Sequence, residues 1–83
     1  MAPREDLIAA IDAALAGHWD EAHARVQSYD DDPFACWIHA VLHKIEPDAA
    51  NARYWYRRAG RSYEAHDDHR TELAAIKAAI AQS

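Results

Sequence analysis

Glycine and proline are scarce in this chain, two and three among 83 residues. Strand-rich folds need those residues at their turns, so the scarcity favours long helices joined by short connections, and abundant alanine fits that class. Cysteine occurs once, at position 36. One thiol excludes an internal disulfide framework and agrees with a reducing cytoplasm. Basic residues are outnumbered, 9 against 14 acids for a net charge of -5. That sign repels phosphate backbones and anionic lipid surfaces at long range, so neither nucleic acid nor membrane is an expected partner. No apolar run approaches the ~18 residues of a membrane span, and the opening MAPRED leads into a helical pattern without a signal-peptide core. The expectation is one untargeted cytoplasmic domain, small enough to bury only about 60–65% of its unfolded surface.

What is present is helical periodicity. Pro3 followed by Arg4, Glu5 and Asp6 suits a first helical turn, and Leu7, Ile8, Ile11, Ala14 and Leu15 share one arc. Gly17 suits a helix end. A second helix restarts near Trp19 with Ala22, Val26 and Tyr29 on its stripe and His23 at the stripe's edge. Asp32 before Pro33 is a helix-start signal, an N-cap oxygen ahead of a preset φ. The third helix, Pro33 to about Ile45, gathers Phe34, Trp37, Ile38, Val41, Leu42 and Ile45 within about 140°. Glu46, Pro47 and Asp48 stop it and start a fourth, in which Ala52, Trp55, Tyr56 and Ala59 alternate small with large; Gly60 closes that hairpin. A last helix from about Asp67 carries Leu73, Ile76 and Ile80.

Shifting the chain by thirty places Pro3, Leu7, Ile8, Ile11 and Leu15 on Pro33, Trp37, Ile38, Val41 and Ile45, and Ala22 and Val26 on Ala52 and Tyr56. Glu72, Leu73, Ile76 and Ile80 repeat the first-helix spacing once more. The expected fold is therefore all-α, with about five helices: two stacked antiparallel hairpins, 3–30 and 33–60, and a C-terminal capping helix, 67–81.

GHWDEAH from Gly17 and DAANARYWYRRAG from Asp48 resemble second helices of tetratricopeptide or Sel1-like repeats. The matching positions are Gly17, Trp19 and Ala22, then Ala52, Trp55, Tyr56 and Ala59. Departures are the period, nearer 30 than 34, alanine (Ala10 or Ala40) where the first helix of such repeats has glycine, and Pro47 where its turn has glycine. The segment 34–60 also resembles one found in short uncharacterised bacterial proteins. The repeat resemblance implies a binding scaffold whose first helices line a concave surface for a protein or peptide.

On the third helix Cys36, His39 and His43 fall within about 60°, nearly opposite Trp37 and Val41. The equivalent positions are Asp6, Ala9 and Ala13 on the first helix and Thr71, Ala74 and Ala78 on the last, so the histidines are expected to face a hollow beside small neighbours. Imidazoles at i, i+4 with a thiol one turn earlier also make Cys36, His39 and His43 a candidate partial metal site, with zinc the ion of choice. Their alternative is ordinary hydrogen bonding to neighbouring helices. A helical metalloprotease is excluded, since Ala40, Val41 and Leu42 separate the histidines with no general-base glutamate. His66-Asp-Asp-His69 is a second, weaker cluster of ligand types.

On the fourth helix Asn51, Trp55 and Arg58 form an i, i+4, i+7 stripe with Tyr54 adjacent, residue types that stack, hydrogen-bond and pair with a carboxylate. Arg53, Arg57, Arg58 and Arg61 add a local basic face. Ser28, Ser62 and Ser83 sit in no nucleophile turn, and no phosphate-cradling glycine loop exists. The expected function is non-catalytic recognition of a protein or peptide through His39, His43, Asn51, Tyr54, Trp55 and Arg58. A metal or small-ligand site at Cys36, His39 and His43 is the second expectation, and a homodimer through the exposed aromatics the third.

Overall fold

The computed structural model describes residues 2–83 and is all-helical: α1 (Arg4–Leu15), α2 (Trp19–Val26), α3 (Pro33–Ile45), α4 (Ala49–Ala59) and α5 (His69–Gln82). Helix ends follow the chemistry of the sequence. Gly17 and Gly60 sit at φ +83° and +71°, the left-handed region where a side chain is penalised, and each closes the helix before it. Asp32 caps α3 through Oδ1, which accepts from the amides of Phe34 and Ala35, while its Oδ2 accepts from the amide of Ala2 and ties the N-terminal segment to the start of α3. Asp68, not Asp67, caps α5, so that helix begins two residues later than its periodicity predicts. Pro3 is likewise the cap of α1 and not its first helical residue.

Two hairpins, α1 with α2 and α3 with α4, pack side by side, and positions thirty apart have like burial: Ala22 with Ala52, Val26 with Tyr56, Leu7 with Trp37 and Ile11 with Val41 are all buried. The arrangement around α3 departs from an amphipathic reading. Every residue from Ala35 to His43 is buried, because α1, α2, α4 and α5 all pack against this one helix. A helix buried all round belongs at the centre of a fold. Among the described residues the expected open hollow along the first helices is not there, since α1, α3 and α5 pack on one another. α5 lies across both α1 and α3, tied to α1 by Lys77 to Asp12 at 2.9 Å and by Arg70 to the Leu15 carbonyl at 2.9 Å. The result is a rounded body of 27 × 25 × 22 Å.

A buried polar hub locks the closing helix in place. Glu72, on α5, is fully buried and accepts from Trp37 Nε1 (2.9 Å), Tyr56 hydroxyl (2.7 Å) and Lys44 Nζ (3.2 Å). Lys44 Nζ also donates to the carbonyls of Tyr63 (2.8 Å) and His66 (2.9 Å), pinning the connection between α4 and α5 onto α3. Burial and the adjoining carboxylate push the Tyr56 hydroxyl far above its usual pKa, so it remains a donor.

Candidate functional site

α2 and α4 do not pack on each other, and the slot between them lies over the third face of α3. Histidines fill it. His39 and His43, one turn apart on α3, stack with ring centroids 4.9 Å apart. His23 reaches across from α2 and meets both edge-on, at 4.7 and 5.5 Å. One ring nitrogen or other from each of the three lies within 4.8 Å of the other two. The slot is walled by tryptophans. Trp55 of α4 lies flat on His39 at 4.0 Å and 13°, and Trp19 of α2 lies flat on His23 at 4.8 Å and 10°. Trp19 is itself fixed, since its Nε1–H donates to the Leu42 carbonyl at 2.6 Å.

Electrostatics follow from this enclosure. His39 is 5% exposed, and its pKa falls to about 3, first because burial penalises the cation and then because His23 and His43 face it. His23, nearer the surface, is lowered for the same leading reason, with Glu46 and Asp20 opposing the shift. The His43 Nδ1 lies 2.7 Å from Glu46 Oε1, so a charged Glu46 requires that nitrogen to carry a proton, and in the neutral ring Nε2 then keeps its lone pair.

The structure therefore separates residues that the sequence grouped. His39 and His43 are together but buried, not lining an open surface. Cys36 is not part of their cluster: its Sγ–H donates to the Asp30 carbonyl at 3.2 Å, an oxygen that also accepts from Arg58 at 2.7 Å. The third member is His23 of α2, whose signal in the sequence is its place four residues after Trp19, on the same helix face. His66 and His69 do not converge with Asp67 and Asp68 on one point, and Asp68 is occupied as a helix cap.

On the outer flank of α4 the four residues singled out by spacing do share one side. Asn51 and Tyr54 are exposed, Trp55 is half-buried with its inner face on His39, and the Arg58 guanidinium sits 5.9 Å from the Tyr54 ring and 5.6 Å from the Trp55 ring. Tyr54, at 45%, is the large hydrophobic residue left outside among the described residues. The basic residues split: Arg53 turns to the other flank, paired with Glu64 at 2.8 Å, and Arg61 covers the Trp37 ring at 4.0 Å.

Cys36 is 2% exposed, and burial raises its thiol pKa despite the nearby Arg58. Thiolate is the reactive form. The folded protein at pH 8 is expected to react with iodoacetamide at least about tenfold more slowly than the urea-unfolded chain. Equal rates, read by mass spectrometry, would show that the thiol is open.

No protein-family model, curated protein or solved structure matches this chain.

Proposed function

We propose that this protein is a non-catalytic binding module that recognises a segment of another protein through the outer flank of α4. The observation that carries this reading is the Tyr54, Trp55 and Arg58 cluster, with its rings and guanidinium in mutual contact and Trp55 backed by the buried His39 ring. Tyrosine, tryptophan and arginine dominate binding hot spots because they offer large rigid contact area beside a hydrogen-bonding fork. A ring already held by stacking loses little further freedom when a ligand arrives, so less affinity is sacrificed to ordering. Asn51, one turn before Trp55, supplies an exposed amide that both donates and accepts.

The flank fits a segment presenting a carboxylate to Arg58 between apolar side chains that cover Tyr54 and Trp55. The resemblance of the two hairpins to tetratricopeptide-type repeats supports a binding role, though the flank of α4 replaces the first-helix groove that such repeats use. The lone, buried thiol suits a reducing cytoplasm.

Peptide-display selection on the immobilised protein tests the reading. Wild type is expected to enrich sequences combining Asp or Glu with an aromatic or aliphatic residue, and Tyr54→Ala with Arg58→Ala is expected to abolish that enrichment. His43 is unsuitable for substitution here because it is buried. Failure to enrich any motif, or the same motif on the doubly substituted protein, would contradict the proposal. Sedimentation at two concentrations distinguishes self-association: a dimer that dissociates on Tyr54→Ala would make a second copy the occupant and displace the heterologous reading.

A further inference from the structure

We infer that His23, His39 and His43 form a binding site for a divalent transition-metal ion, with zinc the ion their chemistry suits. The inference is separate from the α4 surface and stands on the geometry of the slot.

Three imidazoles from two helices, with nitrogens within 4.8 Å of one another, are close to the arrangement a metal imposes. Around tetrahedral zinc, with Zn–N bonds of about 2.0–2.1 Å, ligand nitrogens end roughly 3.4 Å apart. Side-chain rotation that moves each nitrogen by about 1 Å or less closes the difference. The i, i+4 spacing of His39 and His43 already places two rings over one helix face, and α2 delivers the third.

A second observation points the same way. The His43 Nδ1 is engaged by the Glu46 carboxylate at 2.7 Å. Metal-bound histidines characteristically donate their other ring N–H to a carboxylate, which fixes the ring, sets the tautomer and leaves the free nitrogen more basic. Here that leaves Nε2 as the donor for the ion. Among the described residues no protein group hydrogen-bonds to the ring nitrogens of His23 or His39, and neither ring holds a buried unpaired nitrogen, so these lone pairs are open to a ligand arriving from outside.

The donor set selects the ion. Neutral imidazoles suit zinc, copper, nickel or cobalt, whereas magnesium and calcium require oxygen ligands. Cys36 contributes nothing, its thiol being turned to the Asp30 carbonyl. Glu46 is the positioning group on His43, so the fourth place on the ion falls to water.

Tag-free protein titrated with zinc against a chromophoric chelator tests the site. Equimolar binding is expected, with magnesium giving none. His23→Gln is expected to remove it, and His23 is half-buried at the mouth of the slot, so this change leaves the core intact, as circular dichroism will verify. Glu46→Gln, which touches no ligand atom, is expected to weaken binding by about 10–100-fold. Cys36→Ser and Tyr54→Ala are expected to change nothing, so zinc binding and peptide selection can fail independently. No equimolar zinc in folded wild type, or zinc uptake unchanged by His23→Gln and therefore held by surface histidines, would overturn the inference. Loss of binding in Cys36→Ser would overturn it too, by returning the thiol to the site.

Discussion

Glu72→Ala is expected to cost about 3–5 kcal/mol of folding stability, the range for removing one partner of a buried ion pair. A domain of 83 residues has only about 4–12 kcal/mol in total, so the change removes at least about a quarter of it. The magnitude follows from what is stranded. Trp37 Nε1–H, the Tyr56 hydroxyl and Lys44 Nζ all converge on this carboxylate inside the fold. Without it a buried indole donor has no acceptor, and Lys44 keeps its charge beside two carbonyls and a hydroxyl alone. Urea denaturation followed by tryptophan fluorescence reads the change as a lower midpoint. Glu72→Leu combined with Lys44→Met should recover part of the loss, since removing both charges is much less damaging than orphaning one. A Glu72→Ala midpoint within error of wild type would mean that the hub does not hold α5 in place.

The second large effect concerns acid. Below pH 6.5 the unfolded chain protonates His39, whose ordinary value is near 6.5, while the folded chain resists until about pH 3. The unfolded state therefore binds the extra proton throughout that window, and stability falls as pH falls. His39 alone contributes a slope approaching 1.4 kcal/mol per pH unit, flattening below about pH 3. His23, lowered as well, adds to the fall below pH 6.5. The groups facing His39 supply little relief: His23 from α2 and His43 beside it are bases, and Trp55 from α4 is neutral. Metal-free protein is thus expected to show a melting temperature that drops steeply between pH 6.5 and pH 4. In His39→Gln that drop should be much shallower. Parallel pH profiles for the two proteins would contradict the assignment.

How far the sequence announces this structure differs from element to element. Helix ends were legible because the residues that make them act locally: Asp32 ahead of Pro33, Gly17 and Gly60 with positive φ, Asp48 before α4. The five helices follow from the 3.6-residue period in the same way. What periodicity could not convey was how the helices close up. It assigned α3 one buried face and one open face, and so turned His39 and His43 outward. The overlooked signal is that Pro33 through His43 carries no charged residue, a mark of a helix enclosed on every side.

The site was half legible for a related reason. Spacing within one helix correctly puts His39 beside His43 and groups Asn51, Tyr54, Trp55 and Arg58 on a common flank. Partners on different helices depend on packing angles that no single-helix pattern encodes. Cys36 shares the helical arc of the histidines yet finds the Asp30 carbonyl, while His23 joins them from α2. The Glu72 hub was hidden likewise, since its partners lie 16, 28 and 35 residues away in sequence.

Whether His39 is truly sealed between α2 and α4 can be read from its imidazole by proton NMR across pH 7 to 3. The ring should stay neutral, its Cε1–H resonance nearly constant, until the fold itself gives way. A smooth titration with a midpoint close to 6.5 while the remaining resonances stay native would place that ring in water, and the enclosed histidine slot would not exist.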